Sequence, residues 1–169
     1  MGQLRGHLWE RAARSGSLLG GPTPPVVGDR MLAAVVAADA FVTLGGVLHL
    51  FDAAATRLGE VAEGYRYYRF GRMADFVEQL DLRLEGRMLS EVGDRDPAER
   101  RAVLVRSLPA LGLVVRSGAP CEEVGEVLDL WYFTSVGPQI FERFSRHLER
   151  EPGAYAPPHH PCAGHRAIA

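Results

Sequence analysis

The sequence predicts an all-α fold, a helical bundle of about five to six helices built as antiparallel hairpins, and three observations carry that expectation. Apolar residues recur at three- and four-residue spacings through most of the chain. Helix starts and stops fall where those spacings begin and end. No stretch alternates apolar and polar residues in the manner of a half-buried strand, and no internal repeat is present.

The clearest elements lie in 96–150. Asp96-Pro97-Ala98-Glu99 offers a capping acid, a proline at the first helical position and a glutamate placed to reach back to the cap. Leu104, Leu108, Leu111 and Val115 then keep to one side of a helix that Arg116-Ser117-Gly118 should end, with a kink at Pro109. A second helix opens at Pro120 with Glu122 and Glu123 in its first turn and buries Val124, Val127, Leu128 and Trp131. Gly137-Pro138 stops it. The third presents Ile140, Phe141, Phe144 and Leu148 to the core and leaves Arg143, Arg146, Glu149 and Arg150 to solvent.

Upstream, Leu44, Leu48, Phe51, Ala55, Leu58, Ala62 and Tyr65 form one seam, and Phe70, Met73, Val77, Leu80, Leu84 and Met88 form another that runs toward Gly93. Two such seams in succession read as a helical hairpin, with a turn or a kink between Gly64 and Gly71. The shared core is expected to hold Phe70, Met73, Val77, Leu80, Leu104, Leu108, Leu111, Val115, Val124, Leu128, Trp131, Ile140, Phe141 and Phe144. Leu82 and Leu89 lie off the seam and are spare apolar residues for association.

The run that begins at Met31 and ends at Phe51 admits two readings. It has about the 20 residues a bilayer span needs. Asp39 near its middle costs about 2.5–3.5 kcal/mol on insertion scales, comparable to what its apolar residues gain. As a core helix of a bundle it would place Asp39 near a helix edge or against an arginine. Arginines stand on both sides of the run (Arg5, Arg11, Arg14 and Arg30 before it; Arg57, Arg66, Arg69 and Arg72 after), so they do not choose. The core-helix reading implies a cytoplasmic protein; the other implies the inner membrane with a single span.

Around this body we read 1–28 as an arm and a Gly/Pro linker, 29–150 as the bundle domain, and 151–169 as a Pro/His-rich tail. The first fourteen residues lack the apolar core and cleavage site of a secretory signal, so no cleavage is expected. Cys121 and Cys162 are the only cysteines, which fits a reducing compartment and leaves a single bridge between them open. A net charge of −2 and a pI near 6.3 give no footprint for nucleic acid.

Candidate chemistry is sparse. His159, His160, Cys162 and His165 are potential zinc or copper ligands, but they lie in a terminal proline-rich segment, and no tightly bound metal is expected there. His49 stands alone in an apolar run, where a core histidine is the ordinary outcome. Glu78, Asp81 and Glu85 share a helix face that reads as solvated. No nucleophile elbow, phosphate-cradling loop, metalloprotease motif or di-metal Glu-x-x-His pair is present. Accordingly no catalytic, cofactor or metal residue is assigned, and the expected function is a non-enzymatic helical interaction or scaffold module with a protein partner or a second copy of itself. The alternative is a ligand-binding protein or enzyme with a pocket between Tyr65, Tyr67, Tyr68 and Phe70 on one side and Trp131, Tyr132, Phe133, Phe141 and Phe144 on the other.

The run Leu108-Pro109-Ala110-Leu111-Gly112-Leu113-Val114-Val115-Arg116-Ser117-Gly118, followed by a helix bearing Trp131-Tyr132-Phe133, resembles an uncharacterised group of bacterial helical proteins. In that group a membrane-spanning N-terminal helix precedes a cytoplasmic helical domain. The resemblance implies membrane attachment through Met31 to Phe51 as a further alternative and assigns no activity to any residue. Asp39 within the span and Gly137-Pro138 within the final helix depart from its pattern.

Overall fold

The computed structural model describes residues 10–11 and 26–155. Among these every regular element is helical: α1 (Val27–Ala53), α2 (Leu58–Tyr67), α3 (Gly71–Leu84), α4 (Leu89–Arg95), α5 (Pro97–Ser107), α6 (Cys121–Ser135) and α7 (Ile140–Arg150), with short 3-10 turns between several of them. The expected all-α bundle is what the chain forms.

α1 is the central element. Residues 31–38 are all buried, and Val35 and Ala38 have no exposed surface. Each large apolar side chain so enclosed contributes about 1.5–3 kcal/mol. By length and composition α1 is also the one helix among the described residues that could cross a membrane. α2 crosses it at Gly64, where an added Cβ would stand 3.1 Å from the Met31 carbonyl oxygen and 3.2 Å from the Ala34 methyl. That glycine marks a close helix contact, not a turn.

The reversal comes at 68–70, so α2 and α3 run antiparallel. Arg66 on α2 pairs with Asp75 and Glu78 on α3, both at 3.0 Å. The first seam holds from Phe51 to Tyr65, but Leu44 is 79% exposed. The second holds from Phe70 to Leu84 and then stops, because Glu85 and Gly86 adopt φ of 52° and 78°. Met88 therefore begins a separate helix, with its amide bonded to Glu91 Oε2 at 3.1 Å. Leu89, expected to be spare, is fully buried there; Leu82 is exposed.

Asp96 caps α5 as its sequence indicates, accepting from the Ala98 amide at 2.9 Å. The helix stops at Ser107 and does not kink through to Gly118. Pro109 sits in a 3-10 turn, and Gly112, at φ 74°, closes it. Val115 then lies in a loop and is only partly buried, as are Trp131 and Phe141; the other eleven expected core residues are buried. On α6 it is Tyr132, beside Trp131, that is enclosed.

α1 is not continuous. Gly46 adopts φ 80° and ψ 176°, which breaks the ladder and frees the amide of Val47. Asp129 on α6 accepts that amide at 2.6 Å, a carboxylate at the start of the helix's second half. A Cβ on Gly46 would meet Asp129 Oδ2 at 2.6 Å. Gly46→Ala is therefore expected to destabilise by about 2–4 kcal/mol, strain and lost cap together. Gly71→Ala, where a Cβ meets nothing within 4 Å, should be neutral or stabilising by up to about 1 kcal/mol. Urea unfolding of the two variants checks the contrast, and equal effects would refute the account of the break.

Candidate functional site

The turn between α2 and α3 meets the last helix, and two held conformations bring them together. Arg69 lies in the left-handed region at φ 64°, a conformation that costs a non-glycine residue about 1–3 kcal/mol unless its neighbours hold it. Arg143 of α7 does the holding. Its guanidinium donates to the Arg69 carbonyl, to the Tyr68 carbonyl at 3.4 Å and to Gln139 Oε1 at 2.8 Å, and it lies 4.1 Å over the Phe70 ring. Burial, then the neighbouring Arg146 charge, lowers its pKa from the usual arginine value.

A second tie runs through hydroxyls. Tyr68 donates to the Gly28 carbonyl at 3.1 Å, its oxygen lies 3.1 Å from that of Tyr155, and Tyr155 in turn is 2.9 Å from His147 Nδ1. Asp29 beside Gly28 is buried and bonded to Arg11 at 2.5 Å. The chain from α1 through the turn to α7 is thus closed by Tyr155, which joins the core at 5% exposure.

Between the turn and α7 an open groove of about 560 Å³ is left, lined by Tyr67, Tyr68 and Arg69 on one bank and by Gln139, Glu142, Arg143, Arg146, His147, Arg150 and Glu151 on the other. Arg69 and Arg143 also line a second hollow of about 300 Å³, with Phe70, Arg72, Met73, Trp131, Ser135 and Val136. Arg146 pairs with Glu142, and His147 Nε2 lies 3.9 Å from Glu151. Arg69, Arg72, Arg143 and Arg150 have no carboxylate within ion-pair distance among the described residues. The Arg146–Glu142 pair is exposed on both sides, the kind worth about 0–1 kcal/mol and easily exchanged. The Tyr67 ring stacks 4.4 Å from His147, and its hydroxyl is shut from solvent with no hydrogen-bond partner among the described residues. The groove gathers positive charge beside the Tyr67 and His147 rings on a chain whose net charge is −2.

The two aromatic groups singled out in the sequence do meet, but not as a pocket of aromatic walls. Tyr65 and Tyr132 are buried between α2 and α6, with their hydroxyls 3.3 Å apart. Tyr132 donates to Asp39 at 2.9 Å, and Asp39 itself is half-buried on α1. Phe133 is 49% exposed, and Phe144 packs into the core against Tyr68 and Tyr155. Only Tyr67, Tyr68, Phe70 and Trp131 face the two hollows.

His49, expected in the core, is exposed, with its ring edge on Phe41. Glu78 pairs with Arg66; Asp81 beside it is partly buried, and that burial, then the Glu78 charge, raises its pKa. Among the described residues no group of three His, Cys, Asp or Glu could hold a metal ion; His159, His160, Cys162 and His165 lie outside them. The residues missed by sequence reasoning are the cations. Arg143, Arg146, His147 and Arg150 fall at spacings of three, four and seven on one helix face, a legible stripe of which the sequence reading gives the three arginines to solvent.

Compared with known protein families, curated proteins and solved structures, the chain matches none.

All five tyrosines have raised pKa values, burial being the first cause each time, and Tyr155 is pushed up to about 12. The neutral phenol is thus favoured in the folded state. That stabilisation is complete below pH 10, where unfolded tyrosine is protonated too, and is lost as pH rises above 10 because only the unfolded chain releases protons. Stability should fall above pH 10 by about 1.4 kcal/mol per pH unit for each tyrosine still held neutral. Tyrosinate absorbance should rise together with loss of helical circular dichroism. Ionisation near pH 10 in a chain that stays folded would contradict it.

Proposed function

We propose that the protein is a non-enzymatic helical interaction module that takes an acidic segment of a protein partner into the groove between the α2–α3 turn and α7. The observation that carries this reading is the convergence of Arg69, Arg143 and Arg150, none paired with a carboxylate among the described residues, on one open groove with Tyr67 and His147 in its wall. Arginine clusters recognise acidic and phosphorylated motifs through bidentate, charge-assisted bonds. Openness and continuation into a second hollow past Arg69 and Arg143 suit an extended chain better than an engulfed small molecule. Self-association is the second reading, supported by exposed Leu44, Leu130 and Phe133 on α1 and α6, at 79%, 68% and 49%. The first reading takes α1 as the core helix of a cytoplasmic protein.

A fluorescent oligo-glutamate peptide tests the groove by anisotropy. Binding should weaken steeply with salt and fall at least tenfold in Arg150→Glu, an exchange worth about 1.4 kcal/mol or more. Arg106→Glu, on an exposed site away from the groove, should leave it unchanged. Absence of binding, or equal losses in the two variants, would overturn the reading. Extraction without detergent, followed by sedimentation at two concentrations, addresses the rest: a recovered protein is expected, with a mass that rises with concentration only if the apolar patch associates. Recovery only in detergent would return α1 to the membrane.

A further inference from the structure

One proton per hydroxyl decides the direction of the Tyr68–Tyr155–His147 chain. Tyr68 spends its only proton on the Gly28 carbonyl. Its 3.1 Å contact with Tyr155 is then a hydrogen bond only if Tyr155 donates. Tyr155 has no second proton, so its 2.9 Å contact with His147 requires Nδ1–H of the imidazole to be the donor. Neutral His147, which lines the groove, is therefore the Nδ1–H tautomer, with a bare Nε2 that lies 3.9 Å from Glu151, itself a lining residue.

A bare nitrogen lone pair repels an incoming anion, whereas an N–H attracts it. Resting on the reading above, we propose that the groove binds its acidic segment with uptake of one proton at His147 Nε2, so that affinity rises as pH falls. The imidazole is the one group of the site whose type changes charge between about pH 5 and 8. Around it stand Tyr67 and Tyr68 from the turn, Tyr155 from the C-terminal segment with Asp29 and Arg11 behind it, and Arg143, Arg146, Arg150, Glu142 and Glu151 from α7 and its end; Arg69 lies across the groove. Glu151 is the carboxylate beside Nε2, and Arg143, Arg146 and Arg150 share the helix face of His147. A bound carboxylate adds to the Glu151 side, and by linkage the proton then strengthens the carboxylate's binding by the same factor. Tyr155 fixes which nitrogen must take the proton, so the coupling belongs to this relay and not to a freely rotating surface histidine.

The experiment uses the full chain and the same oligo-glutamate probe between pH 5.5 and 8, where the probe's carboxylates stay ionised. Affinity should increase about tenfold as pH falls from 8 to 5.5, and calorimetry in two buffers of different ionisation enthalpy should report net proton uptake on binding near neutral pH. His147→Asn keeps a donor for Tyr155 and removes Nε2; it should bind with no pH dependence and no proton uptake. Glu151→Gln should bind more tightly and keep both. Binding that is flat with pH in the wild type, or a proton uptake that survives His147→Asn, would overturn the coupling while leaving the groove reading intact. No binding at any pH would overturn both. Because the calorimetric count needs only the wild-type protein, a poorly folding variant does not protect the proposal.

Discussion

The structure depends on enclosing α1. Its first half is buried from Met31 to Ala38, and a polar group on the buried side needs a partner, because an unmet buried donor or acceptor costs about 1–3 kcal/mol. Besides Asp29 with Arg11 and Asp52 with the Ser90 amide, three such contacts hold the helix. The Gly28 carbonyl receives Tyr68, the Asp39 carboxylate receives Tyr132, and the Val47 amide, released by the break at Gly46, is received by Asp129. These contacts set which residues of α2, the α2–α3 turn and α6 face the centre. Apolar packing alone tolerates sliding; hydrogen bonds of this kind do not.

The same contacts place the groove. Tyr68 can reach Gly28 only if the chain turns sharply after α2, and the turn relies on Arg69 in the left-handed region. Arg143 holds that residue's carbonyl and in doing so seats α7 against the turn, bringing its stripe of cations to Arg69. The positive groove is thus a consequence of the way the core is closed. Its Tyr155 tie links α7 back to the start of α1, so the groove's histidine shares one hydrogen-bonded chain with the central helix.

What could be read in advance divides by range. Starts and stops that rest on neighbours in sequence were legible: Asp96-Pro97 opens α5, and Pro120 and Gly137-Pro138 bound α6. Seams were legible where a helix ran on, and failed where a left-handed residue with no strong signal stopped it, as at Glu85. Met88 falls out of the second seam for this reason, and Leu44 falls out of the first because the break at Gly45 and Gly46 beside it shifts the helix face. The cationic stripe of α7 was visible in its spacing, but a stripe becomes a site only by what lies opposite.

By itself, then, the sequence determined the all-α class, the approximate extent of its helices and most of the core, because these follow from periodicity and from caps a few residues apart. Tertiary structure decided the rest. Tyr132 reached Asp39 across 93 residues of chain, Trp131 yielded its place in the core to Tyr132, and Arg69 met Arg143 across 74 residues. Such pairings depend on helix rotation and crossing, which side-chain packing sets jointly across elements and which no local pattern records.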